Sequence, residues 1–310
     1  MSDASVSLSK NIEDLPKKLA LKARSLLVTV WGDSIAPHGG TVWLGSLIDL
    51  VAPFGLNERA VRTSVFRLKN EKTLSSFQEG RRSFYTLTAS GQHRFEEATK
   101  RIYNHMDEAW DGEWTLLFSE RRKLDDDIKK QLSLELAWLG FGDLGSGIYA
   151  HPNCERQTVE RLVSDLDISS HVAFMKANGL SLTDETQEHI LVLIGWNLSS
   201  IENGYTDFIT HFNPIINKLN HSINLTSEQS FNLRTLLVHD YRRALLRDPM
   251  LPSNLLPESW NGNTAKELFH DIYQIVWQDA ETHLLQTLET KGGKLPDAST
   301  EFSARFGGLK

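Results

Sequence analysis

Residues 57–87 read NERAVRTSVFRLKNEKTLSSFQEGRRSFYTL, and this stretch decides the N-terminal fold. Asn57 suits a helix N-cap, because its side-chain oxygen can accept from an unpaired amide of the first turn, and Glu58 sits at the positive end of the helix dipole. Val61, Val65 and Leu68 recur at i, i+4 and i+7, which makes a narrow apolar stripe. At 100° per residue the opposite side collects Arg59, Thr63, Phe66 and Asn70, with Arg62 and Arg67 on its flanks. After Lys72 the period becomes that of strands. Leu74–Phe77 and Ser83–Leu87, joined by Gln78-Glu79-Gly80-Arg81-Arg82, predict a hairpin with a basic tip.

Working outward, Leu19, Ala23, Leu26, Leu27 and Val30 predict a helix that starts at Pro16 and ends near Gly32. Polar, glycine-rich Asp33–Thr41 reads as a loop, Val42–Val51 as a second short helix, and Pro53 with Gly55 as a sharp break. Helix, turn, helix and basic hairpin is the order of a winged helix-turn-helix. In that fold the Asn57-capped helix enters the major groove of double-stranded DNA. Arg59 or Arg62 can pair with a guanine edge, Thr63 with a base or phosphate, and Arg67 with Lys69 can grip the backbone. Asn57 and the tip residues Arg81 and Arg82 complete the candidate DNA-binding set. Which arginine reads a base stays open. Phe66 is expected to pack beneath the wing, and Trp31 and Trp43 to fill core or interface space.

The formal charge of -7 is an average over unlike parts. Residues 1–110 carry 15 basic and 12 acidic side chains, a net +3, which leaves -10 for residues 111–310. Asn57–Arg82 alone holds seven basic residues against three acidic ones, an excess suited to phosphates. The polar start carries no apolar signal region and no apolar run approaches a membrane span. The single cysteine, Cys154, has no disulfide partner within the chain. Together these features predict a cytoplasmic protein.

Downstream, Thr88 or Ser90 can cap a helix over about Gln92–Ala109, and Trp110-Asp111-Gly112 marks a boundary. Strand Trp114–Ser119, helix Asp125–Trp138, strand Gly147–Ala150, helix Cys154–Leu166 and strand His171–Ala177 suit a ferredoxin-like sandwich. From Asp184 the chain reads as mostly helical, with Asp248–Trp260 a three-proline structured loop. The expected class is α+β. Its parts are a flexible N-terminus (1–15), the winged helix (16–90), a linker helix (91–110), the ferredoxin-like domain (111–180), a helical domain (181–292) and a loose tail (293–310).

Several stretches resemble the PaaX-type repressors of phenylacetic acid degradation: Trp31-Gly32-Asp33, Val42-Trp43-Leu44-Gly45-Ser46-Leu47, Gly55 through Thr63 with Arg67-Leu68, and Gly80 through Thr88. Far downstream the resemblance resumes in Arg242-Arg243 and in Asp248-Pro249-Met250-Leu251-Pro252 through Gly262. Family members often carry Gly-Trp between the recognition helix and the wing, where this chain has Glu71-Lys72-Thr73. The resemblance implies a Cas2-like central domain and a homodimeric repressor of phenylacetate catabolic genes, released from DNA by phenylacetyl-coenzyme A.

An acyl-coenzyme A effector needs cations for its phosphates and an apolar pocket for its aromatic group. Arg121 with Arg122, or Arg242 and Arg243 beside His239 and Tyr241, are the candidates, and either cluster is equally able to form ordinary ion pairs. No cofactor, metal or catalytic residue is expected. Asp125-Asp126-Asp127 opens a helix, where acidic residues suit the dipole. His151 and Cys154 lack further zinc ligands. The nearer alternative is a repressor of the same architecture that responds to a different acyl-coenzyme A or aromatic effector; the one from a different class is a metal-dependent nuclease built on the central domain, although the chain carries no nucleophile elbow or phosphate-binding loop.

Overall fold

In the computed structural model, which describes residues 3–103, 110–120, 123–154, 156–178, 186–219 and 225–310, the chain opens on helix α1 (Asp3–Lys18). This corrects the flexible start expected for residues 1–15. Leu8, Ile12, Leu15 and Leu19 are buried at helical spacing, and Pro16 lies in the last turn of α1 instead of opening the next helix. Helix α2 (Ala23–Val30) runs directly into a π turn, Trp31–Ile35. Asp33, expected at the start of a loop, is thereby carried into the core.

Thr41–Trp43 is strand β1, and α3 (Leu44–Val51) begins only after it. The expected helix over Val42–Val51 is shortened because β-branched Thr41 and Val42 pair antiparallel with the wing, Thr41 opposite Thr86 and Trp43 opposite Phe84. Gly45 is required here: a Cβ on it would lie 2.4 Å from the Trp43 ring.

Helix α4 (Glu58–Asn70) follows the sequence reading, with Asn57 Oδ1 accepting from the Ala60 amide at 2.9 Å. Val61, Val65 and Leu68 are buried, and Ser64 joins them one turn after Val61. Burial of each such apolar side chain contributes roughly 1.5–3 kcal/mol. The helix ends in a Schellman motif, in which the amide of Thr73 donates to the Leu68 carbonyl and that of Lys72 to the Lys69 carbonyl. Lys72 therefore holds the left-handed C′ position at φ 58°, a site that favours glycine. The departure from the family pattern falls on this turn. Lys72→Gly is expected to raise the unfolding free energy by about 0.5–1 kcal/mol. Chemical denaturation checks this, and a lower stability would show that Lys72 is unstrained.

Strands β2 (Leu74–Glu79) and β3 (Arg82–Leu87) form the wing, in a sheet of order β1-β3-β2. The expected five-residue connection is a two-residue turn, Gly80-Arg81, closed by the Glu79–Arg82 pair, with Gly80 at φ 57°. A left-handed first central residue is what a II′ hairpin turn demands. Phe77 and Phe84 stack across the ladder at 5.3 Å. Thr88 caps α5 (Ala89–Tyr103) by accepting from the Gly91 amide at 3.0 Å.

A four-stranded antiparallel sheet follows: β4 (Glu113–Ser119), β5 (Gly142–Gly145), β6 (Ile148–His151) and β7 (Val172–Asn178), in order β5-β6-β4-β7. With α6 (Asp126–Trp138) after β4 and α7 (Arg156–Asp165) after β6, this is the ferredoxin-like βαββαβ arrangement. Its core joins Leu117 and Tyr149 of the sheet to Leu132, Leu136, Val159 and Val163 of the helices. Strand β5, Gly-Asp-Leu-Gly, is the element of this sheet that the sequence reading lacked. Its glycine is needed, since a Cβ on Gly142 would lie 2.7 Å from the Trp196 ring.

The rest is helical: α8 (Thr186–Gly195), α9 (Leu198–Leu219), α10 (Ser227–Leu245) and α11 (Asn261–Thr287). A short hairpin, β8 (Glu289–Thr290) with β9 (Gly293–Lys294), and α12 (Thr300–Ser303) close the chain. The expected loose tail is packed instead, with Leu295, Phe302 and Arg305 buried. The three-proline segment is a loop held from within. Asp248 accepts from the Tyr205 hydroxyl at 2.6 Å and from the Met250 amide at 2.7 Å, while Leu251, Leu255 and Trp260 are buried.

The chain divides into two compact units. One comprises Met1–His105, Thr206–Arg243 and Asn263–Lys310, and the other Met106–Tyr205 with Ala244–Gly262. The winged helix and most of the C-terminal helices, separate domains in the sequence reading, therefore share one unit, while α8 and the start of α9 belong to the other. The three-proline loop belongs with the ferredoxin-like sheet. Among the described residues no helix is long and apolar enough to cross a membrane.

What joins the first unit is ionic as well as apolar. Asp33 accepts from the hydroxyls of Tyr103 (2.7 Å) and Tyr273 (3.0 Å) and pairs with Arg305 (2.9 Å) and Arg234 (3.1 Å). Arg234 donates onward to Glu281 (2.5 Å), and Glu281 meets His38 Nε2 at 2.9 Å. Burial alone pushes the Asp33 carboxyl up, but the guanidiniums of Arg234 and Arg305, with the two tyrosine hydroxyls, more than offset this and hold it below the ordinary range. Burial likewise disfavours the Arg234 charge, and Asp33 with Glu281 reverses that.

Candidate nucleic-acid interface

The stripe that buries one side of α4 leaves the other in solvent. Arg59, Arg62, Thr63, Arg67 and Lys69 are all exposed there, as is the capping residue Asn57. Phe66 is 60 % exposed on the same face, which corrects the expectation that it packs beneath the wing. A ring in that position can meet a thymine methyl group. Arg62 donates to Glu58 at 2.7 Å across one helical turn, an exposed pair of the kind worth about 0–1 kcal/mol and readily exchanged for a phosphate. Arg59, Arg67 and Lys69 make no ion pair among the described residues. Asn57, Glu58, Arg59, Arg62 and Thr63 line a shallow open depression at the N-terminal end of the helix, the end that meets base edges in helix-turn-helix proteins.

At the wing, Arg81 is exposed and has no ion pair among the described residues. Arg82 differs. Its guanidinium donates to Glu289 at 2.6 Å and lies 4.3 Å from the centre of the Trp43 ring, so it is braced against its own protein while half exposed. Arg24 of α2 donates to Glu71 at the end of α4 (3.2 Å), which fixes the two helices to each other.

The expected effector residues are divided by the structure. Arg121 and Arg122 lie outside the described residues. His239 and Tyr241 are core residues of the first unit, a correction to their expected role. The Tyr241 ring stacks on Phe269 at 4.2 Å. His239 meets Thr29 Oγ1 at 2.9 Å, and burial, helped by Arg242 and Arg243, pushes its pKa down to about 3, so it carries no charge for a phosphate at neutral pH. Arg242 donates to Thr29 Oγ1 (2.8 Å) and to the Ser25 carbonyl (2.9 Å), anchoring α10 to α2. Arg243 is half exposed, donating to the Leu19 carbonyl at 3.3 Å.

Asp126 pairs with Lys129 at 2.8 Å in the first turn of α6, and Asp127 follows it. His151 is half-buried, its pKa pushed down to about 4 chiefly by desolvation, and its Nδ1 accepts from the Asn153 amide. The residue that the sequence reading missed is Asp33. Its signal is the resembling triplet Trp31-Gly32-Asp33, in which the sequence reading ends a helix near Gly32 and starts a loop at Asp33, whereas a π turn carries the carboxylate inward.

Comparison with known proteins covers most of the chain. Profiles described as PaaX-like protein, PaaX protein central Cas2-like domain and PaaX-like protein C-terminal domain match residues 22–91, 107–190 and 196–286. The transcriptional repressor PaaX of Escherichia coli (strain K12) is 36% identical over 299 residues, 96% of this chain and 94% of that one. Among solved structures, the uncharacterized protein Rv0674 from Mycobacterium tuberculosis is similar in fold, with a TM-score of 0.54 at 22% identity over 85% of this chain and 98% of that one. With three profiles in order and a relative aligned over nearly the whole of both chains, this chain belongs to the PaaX family.

Proposed function

We propose that this protein is a DNA-binding transcriptional repressor of phenylacetate catabolic genes, acting as a homodimer and released from its operator by phenylacetyl-coenzyme A. It is a regulator and not an enzyme. The observation that carries the reading is the outer face of α4, where Arg59, Arg62, Thr63, Arg67 and Lys69 stand in solvent beside a wing tipped by Arg81. In a dimer two such helices set about 34–36 Å apart meet successive major grooves of a palindromic site. Release follows if the effector binds more tightly to a dimer geometry whose helices miss one half-site. Its phosphates would be met by Arg243 or by the Arg121–Arg122 pair.

The test is fluorescence anisotropy on a duplex recovered by in vitro selection against the full chain. Phenylacetyl-coenzyme A is expected to dissociate the complex, and free phenylacetate to leave it intact. Equal response to both, or to neither, rejects the effector. Failure to select any duplex rejects DNA binding itself.

A further inference from the structure

We infer that the C-terminal hairpin β8–β9 is a second wing, whose turn residue Lys291 and β9 residue Lys294, opposite Glu289 in the ladder, grip DNA phosphates beside the first. The inference rests on the DNA-binding reading of α4 and deepens it. Leu288 and Leu295, both buried, anchor the two ends of the hairpin, and Lys291-Gly292-Gly293-Lys294 projects between them into solvent. The hairpin is fixed beside the wing by three contacts. Glu289 accepts from Arg82 (2.6 Å), its amide donates to Ser46 Oγ (3.1 Å), and Lys291 pairs with Glu79 (3.4 Å). Glu79 and Arg82 are the ladder pair that flanks the Gly80-Arg81 turn, so the lysine loop lies at the tip of the wing and not at its base.

Charge sets the partner. The wing tip alone offers Arg81 and Arg82 against Glu79. With the hairpin added, four cations face two carboxylates, and each carboxylate already has its own partner, Glu289 with Arg82 and Glu79 with Lys291. Arg81 and Lys294 have no ion pair among the described residues, and the exposed Lys291–Glu79 pair is too weak to hold its lysine from a phosphate. An exposed, glycine-jointed pair of lysines reads no base. It fits the DNA backbone, which takes cations without regard to sequence.

The full-length Lys291→Ala/Lys294→Ala variant tests this through the salt dependence of operator binding. Each lost phosphate contact lowers the slope of log K against log salt by about 0.9, so four lost contacts in the dimer lower it by about 3.6. Affinity near 0.1 M salt is expected to fall at least about tenfold, equally for operator and unrelated duplex. Lys291→Arg/Lys294→Arg is expected to keep the wild-type slope, and both variants to melt with the wild type. A wild-type slope in the alanine variant overturns the second wing and leaves α4 as reader. Absence of binding by the wild type removes both.

Discussion

Replacing Arg234 with alanine is expected to remove about 3–5 kcal/mol of stability, the usual cost of stranding a buried charge. Arg234 is fully buried and reaches Asp33 at 3.1 Å and Glu281 at 2.5 Å, so its loss leaves Asp33 with one cation, Arg305, beside the two tyrosine hydroxyls, and leaves Glu281 with His38, among the described residues. Arg82→Ala is the comparison, since it breaks an exposed pair with Glu289 that is worth about 1 kcal/mol or less. Chemical denaturation of both variants separates the cases, and a loss of under 1 kcal/mol for Arg234→Ala would show that the cluster is not what binds this unit together. Operator affinity should fall with stability in the Arg234 variant, because Asp33 belongs to the turn that follows α2 of the winged helix. Arg82→Ala should keep its fold.

The second large effect is expected on α4. Arg59 lies at the N-terminal end of the helix, unpaired among the described residues and beside Thr63 in the open depression. An arginine there that is bidentate to a guanine is worth about 1–3 kcal/mol of discrimination, and the dimer counts it twice. Arg59→Ala should therefore cost about 2–6 kcal/mol on the selected operator and little on unrelated DNA. Arg67→Ala should weaken both duplexes alike and lower the salt slope by about 0.9 per protomer. Competition titrations against unrelated duplex measure the difference. The reverse pattern, Arg59 uniform and Arg67 selective, would exchange their roles.

Helix α4 was legible because its determinants are local. An Asn cap, a Glu at the first position and the Val61-Val65-Leu68 stripe all act within four turns of chain. The wing was legible from its change of period. What escaped was set by partners distant in sequence. Asp33 pairs with Arg234 and Arg305, about two hundred residues or more away, and charged residues are read as surface by default. The same long-range pairing put the winged helix, α10 and α11 into one unit and converted a tail read as loose into a packed one. Strand β5 escaped for a different reason: Gly142 and Gly145 are poor strand formers, and packing against Trp196 selects for the small residue there. Among the effector candidates, His239 and Tyr241 sat next to two arginines in sequence, but helical geometry turned them inward.

The central claim is that the exposed face of α4 reads the operator. Its most direct measurement is anisotropy at fixed salt with the Arg59→Ala/Arg62→Ala/Arg67→Ala variant, whose melting temperature should match the wild type because all three side chains are exposed. The expected result is loss of any preference for the selected operator over a scrambled duplex. Retained preference at wild-type affinity would contradict the account and place the reader elsewhere in the chain.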